Sequence, residues 1–137
     1  MRRILFSLII SASPALAEEP SPAASIIDGV YMTQEDLCAR AKAEGVEAVA
    51  EEGNLVLHAG KLESIEYHCD FVDVIKVNDI ALVITAWCEE PDFAFPDLIS
   101  VTKRNDTTIQ LSSVRDQPEL PSGNSGTWVK CEGVSMP

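Results

Sequence analysis

The sequence predicts an α+β fold: one N-terminal helix on a small antiparallel β-sheet or partly closed β-barrel of about six strands, with two disulfides. Three observations carry this. A helix start and stop bracket residues 34–44. From Leu55 onward the chain shows Val- and Ile-rich runs broken by turn residues. Four cysteines, Cys38, Cys69, Cys88 and Cys131, follow an export signal.

Arg2 and Arg3 form the positive start of that signal, Ile4 to Ile10 its apolar stretch, and Ala15-Leu16-Ala17 a small-x-small cleavage site. The apolar run is too short to span a bilayer, which takes about 20 residues. Residues 1–17 are therefore read as a signal peptide, 18–26 as a flexible lead-in and 27–137 as a single domain. The expected location is periplasmic or secreted, with no membrane span. In that oxidising setting an even cysteine count implies two disulfides.

Ile26-Ile27 and Gly29 to Met32 read as a first strand. Thr33-Gln34-Glu35-Asp36 has the form of a capping box, and Leu37, Cys38 and Ala41 make one apolar stripe. Gly45 suits the position after a helix, which places the helix at Gln34 to Glu44. Residues 46–52 fit either a helix or a strand period. Leu55 to His58 is a short strand.

Glu66 to Val77 and Ile80 to Cys88 form a hairpin around Asn78-Asp79. A two-residue loop there sets Cys69 opposite Cys88, at a Cα separation of about 5.5 Å. Cys38 is left for Cys131. The same register puts Phe71, Ile75, Val77, Ile80, Leu82, Ile84 and Ala86 on one face. Asp73 alone disagrees, which marks a bulge. Leu98 to Lys103 and Thr107 to Ser113 form a second hairpin. A three-residue loop, Arg104-Asn105-Asp106, pairs Val101 with Ile109 and Ile99 with Leu111. Asp116 to Gly126 is a loop and Thr127 to Cys131 a last strand. No internal repeat is expected.

Gly29-Val30-Tyr31 ahead of Cys38, Ile65-Glu66-Tyr67-His68-Cys69, Ala86-Trp87-Cys88 and Trp128-Val129-Lys130-Cys131 give the cysteines a pattern. It resembles small exported bacterial four-cysteine proteins of unknown function. The resemblance covers most of the chain after the leader and implies no activity, so no functional residue is carried over.

Ten Lys and Arg face 22 Asp and Glu, a net charge of −12. That balance argues against nucleic acid, itself a polyanion, and points to a basic protein as partner. The chain lacks HExxH, GxSxG and phosphate-binding glycine loops, so no catalytic residue and no cofactor are assigned. Ser122-Gly123-Asn124-Ser125-Gly126 only superficially resembles a nucleophile elbow and reads as a loop. His58 and His68 are the only histidines. A metal-binding or hydrolytic protein would have to use them, yet no ligand spacing surrounds them. Asn105-Asp106-Thr107 matches a glycosylation sequon and reads as a plain turn.

The expected function is a non-enzymatic exported acidic binding module, most concretely an inhibitor of a basic enzyme. An accessory of an envelope complex is the other non-enzymatic reading. Its candidate docking segment follows Cys88. Phe93 and Phe95 alternate onto one side of an extended chain, ringed by Glu89, Glu90, Asp92 and Asp97. Pro91 and Pro96 would stiffen it.

Overall fold

The computed structural model describes residues 19–117, 119 and 124–137. The expected signal peptide lies outside the described residues, as does part of the loop before the last strand. Among the described residues, eight antiparallel strands form a closed barrel in chain order. They are β1 (Tyr31–Met32), β2 (Val56–Leu57), β3 (Lys61–Glu63), β4 (His68–Asn78), β5 (Ala81–Glu89), β6 (Ala94–Asn105), β7 (Thr108–Ser113) and β8 (Gly126–Lys130). β8 closes on β1, with Tyr31 opposite Lys130. The sequence predicts about six strands, places segments for seven of these eight, and leaves closure open. The strand it lacked outright, β3, has only three residues, too few to show a period.

Alternation builds the interior. Leu82, Ile84, Ala86 and Cys88 of β5 are buried, and so are Phe95, Asp97, Ile99 and Val101 of β6. Trp128, Ile109 and Leu111 complete the far wall. β4 departs from the expected face. A bulge at Val72 lies between Phe71 and Asp73, where Asp73 had marked it. Beyond it the inward side passes to Val74, which packs on the core, while Ile75 and Val77 point out. Ile80 sits exposed in the turn.

Both hairpins turn later than expected, and the second turns through two residues rather than three. The first turns at Asp79-Ile80, with Asn78 opposite Ala81, and the second at Asp106-Thr107, with Asn105 opposite Thr108. Bulges at Val77 and Val72 then restore the register that sets Cys69 opposite Cys88. An extra residue at Arg104 sets Val101 opposite Leu111 rather than Ile109, and Ile99 opposite Ser113 rather than Leu111. The two turns share one device. Lys76-Val77-Asn78-Asp79 and Lys103-Arg104-Asn105-Asp106 occupy equivalent places. Each Asn Oδ1 accepts the backbone N–H two residues on at 2.9 Å. Each Lys pairs with the Asp three residues on, at 3.1 and 3.3 Å.

Residues 19–26, expected as part of a flexible lead-in, pack against the barrel instead. Pro22–Ser25 forms one 3-10 turn, and Ala23, Ile26 and Ile27 are fully buried at the end of the barrel that holds the two turns. Only Tyr31 and Met32 of the expected first strand pair. Asp28 locks this plug, since its carboxylate accepts from the Tyr31 hydroxyl at 2.7 Å and from Lys130 Nζ at 2.9 Å. Partial burial pushes the Asp28 carboxyl up, but these two donors outweigh it and hold it below the usual range.

Two helices, α1 (Glu35–Glu44) and α2 (Val46–Glu51), pack outside the barrel. Their buried Leu37, Ala41, Val46 and Val49 meet Val30, Met32 and Val56, the outward residues beside Tyr31 and Leu57. The sequence predicts one helix and leaves residues 46–52 open between helix and strand. It broke the element at Gly45, whose φ of 96° is left-handed territory, and α2 resumes at once beyond it. The capping box does not form: Gln34 is the N-cap, and no side chain caps the helix. Both disulfides form as paired from sequence, Cys38 with Cys131 and Cys69 with Cys88. The first ties α1 to the chain end after β8. The second joins facing strands with Cα atoms 3.9 Å apart, nearer the closer of the two antiparallel spacings.

Candidate functional site

The hairpin of β5 and β6 ends opposite the two repeated turns, and its head carries the segment singled out from sequence. β6 begins at Ala94, so Phe95, Pro96 and Asp97 are strand rather than loop. This splits the six candidate docking residues. Phe93, Glu89, Glu90 and Asp92 are exposed, Phe93 by 54%. Phe95 and Asp97 point into the barrel mouth and are only 8% and 3% exposed, so neither can form part of a docking rim. The reason is parity: both alternate with Ile99 and Val101 on the inner face.

Asp97 is the centre of a buried polar cluster. Ser113 Oγ lies 2.7 Å from both its carboxylate oxygens, and Asn124 Nδ2 donates to Oδ2 at 2.7 Å. The Leu98 backbone N–H donates to Oδ1 at 2.8 Å. A buried carboxylate is tolerated when its lone pairs are met in this way. Tyr67 extends the cluster by donating to Asn124 Oδ1 at 2.7 Å. Its hydroxyl also lies 3.0 Å from Cys69 Sγ, which brings the inter-strand disulfide into the group. Burial, then the charges of Asp97 and Glu90, pushes the Tyr67 hydroxyl up to about 12, so it stays a donor across ordinary pH.

Phe95 closes the mouth. Its ring stacks on Tyr67 with centroids 6.4 Å apart, and the Arg115 guanidinium sits 3.9 Å above it. Phe93 leans on the same ring at 5.5 Å with its outer side open. The head is therefore held from inside by an aromatic stack, a carboxylate cluster and a disulfide. Tyr67, Ser113, Asn124 and Arg115 were not foreseen from sequence. They come from three separate segments, Ser113 and Arg115 sharing one, and nothing local ties them to Asp97.

Trp87 falls opposite Asp70, as the hairpin register predicts, although the sequence did not single it out for docking. It precedes inward Cys88, so it must point outward, and it is 44% exposed. It lies between Asp70 of β4 and Pro96 of β6. Its indole N–H donates to Glu89 Oε1 at 3.2 Å. The head thus presents two exposed aromatics, Trp87 and Phe93, among Asp70, Glu89, Glu90 and Asp92.

The histidines lie on the outer wall and hold separate partners. His58 Nε2 is 3.2 Å from Glu63 Oε1, and its Nδ1 takes the Gly60 N–H at 3.3 Å. His68 Nε2 sits 3.4 Å from Glu89 and 3.6 Å from Asp70. Among the described residues, no group of three or more His, Cys, Asp or Glu could hold a metal ion. In the 122–126 stretch, expected as a loop, Ser125 Oγ accepts the Ser113 N–H at 2.8 Å, while Ser122 and Gly123 lie outside the described residues. The sequon residue Asn105 makes the plain turn described above. No described helix is long and apolar enough to cross a membrane. Comparison with known proteins finds no match, whether among family models, curated proteins or solved structures.

Proposed function

We propose that this chain is an exported acidic binding module that docks a basic protein through the head of the β5–β6 hairpin. Inhibition of a basic enzyme is its most concrete form. The observation that carries the reading is the pairing of exposed Trp87 and Phe93 with Asp70, Glu89, Glu90 and Asp92 on a head pinned from beneath. Exposed aromatics supply affinity, and surrounding carboxylates raise the encounter rate with a cationic partner. Because Phe95 and Asp97 already fix the backbone, little ordering entropy is lost on docking. A net charge of −12 adds long-range attraction that salt weakens.

The test is capture of proteins from the envelope and secreted fractions on the immobilised chain, beside the variant Trp87→Ala with Phe93→Ala. The reading expects a basic protein that binds the wild type, is released by salt and is lost from the variant. An acidic partner, or one held equally by the variant, overturns it.

A further inference from the structure

Among the described residues, the upper half of β4 has a free edge. β3 covers β4 only along His68 to Asp70, and the Gly60 carbonyl takes one more N–H, that of Phe71. Among the described residues, Val72 to Asn78 pair only with β5. Exposure agrees: Ile75 is 58% exposed, whereas Val83, directly opposite on β5 and flanked on both sides, is half-buried. The Pro22–Ser25 turn lies against β4, but among the described residues it makes no backbone hydrogen bond to this edge. Its Ala23 sits in the interior core, which Phe71 and Val74 join.

An open edge is a template for another strand, and proteins usually block it. The start of β6 shows such a block: Pro96 occupies the stretch before β7 pairing begins at Ile99, and it has no N–H to offer. The β4 overhang contains no proline. Between its bulges at Val72 and Val77, four residues keep regular register, Asp73 to Lys76.

We infer that the β4 edge pairs antiparallel with the same edge of a second copy of this chain, across a two-fold axis at Ile75. The segment Val72-Asp73-Val74-Ile75-Lys76-Val77 has four β-branched aliphatics, no Gly or Pro, and one Asp balanced by one Lys. It is locally neutral in a strongly acidic molecule, the composition that favours self-pairing strands. In that register Ile75 meets Ile75, Val74 meets Lys76 and Asp73 meets Val77, so no like charges face each other. A two-fold contact closes after two copies.

Sedimentation equilibrium of the chain over rising concentration and salt tests this. The expected result is a monomer–dimer equilibrium that salt favours, because it screens repulsion between acidic bodies. Ile75→Lys sets two lysines against each other at the axis and should give a monomer with unchanged melting temperature. Leu98→Lys, exposed elsewhere on the outer wall, should still dimerise. Hydrogen exchange at Asp73 to Lys76 should slow at least tenfold in the dimer. A chain that stays monomeric at high concentration and salt overturns the inference, as does a dimer indifferent to Ile75→Lys. Protection of these amides only when another protein is added would give the edge to that protein and equally overturn it.

Discussion

Asp97 Oδ2 accepts the Asn124 side-chain amide at 2.7 Å inside the barrel mouth, so a carboxylate that reads in sequence as part of an acidic surface is an anchor. Replacing Asp97 with Ala should leave Asn124 Nδ2 and Ser113 Oγ short of their buried acceptor. The expected loss is about 2–4 kcal/mol, measured by urea unfolding. A loss below about 0.5 kcal/mol, the size of an ordinary surface change, would show the cluster to be incidental.

Phe95 and Phe93 should separate in the same assay. Phe95→Ala removes a buried ring from between Tyr67 and Arg115 and should cost about 3–5 kcal/mol. Phe93→Ala removes an exposed one and should cost under about 1 kcal/mol. Equal losses would contradict the division of the hairpin head into anchor and surface.

How much of this was legible follows from where the information sits. Cys69 opposite Cys88 could be found by counting outward from Asn78-Asp79, although two bulges, at Val77 and Val72, were needed to compensate a turn placed one residue early. A bulge costs one residue of register, and sequence shows it only where a charge such as Asp73 breaks the alternation. The inward direction of Asp97 was legible from the parity it shares with Ile99 and Val101, but Pro96 concealed it by suggesting a loop. Pro96 is tolerated because it lies where β6 has no partner on its β7 side. Tyr67, Ser113 and Asn124 could not be joined to Asp97 without closing the barrel. Barrel closure itself depends on strands of two and three residues, β1 to β3, whose pairing is set by tertiary context rather than by their own period.

The repeated turn makes a paired prediction. Asn78→Ala and Asn105→Ala each remove one 2.9 Å hydrogen bond from a backbone N–H in equivalent geometry; Asn105→Ala also removes a 3.1 Å bond from the exposed Thr107 hydroxyl, which water replaces. Each should cost about 0.5–1 kcal/mol, and the two values should agree within error. A difference above about 1 kcal/mol would mean that the tips are held by different forces.

The disulfides should differ in worth. Cys38–Cys131 spans a sequence separation of 93 and Cys69–Cys88 one of 19. Chain entropy assigns them about 4–5 and about 3 kcal/mol respectively. Unfolding of the two Cys→Ala double variants should keep that order, and non-reducing peptide mapping should recover these two pairings. A Cys38–Cys69 peptide would refute the topology.

Acid should loosen the plug and the β2–β3 corner. Burial pushes the Glu63 carboxyl up, but Lys61 and His58 outweigh it and hold it below its usual range, as Tyr31 and Lys130 do for Asp28. For a carboxylate whose folded pKa is depressed, the stabilisation is full above the unfolded value, about 4, and fades as pH falls through the folded one. Unfolding free energy should therefore fall as pH drops below about 4. Asp28→Asn should be less stable than wild type at pH 7, and the gap should narrow in acid. A gap that widens in acid would reverse the assigned sign.

Hydrogen exchange on the chain with its captured basic partner bound tests the docking claim most directly. Slowed exchange is expected across Trp87 to Phe93, lost together with binding in Trp87→Ala with Phe93→Ala at an unchanged melting temperature. Protection confined to the His58 and Lys61 wall, with the hairpin head exchanging as in the free chain, would contradict it.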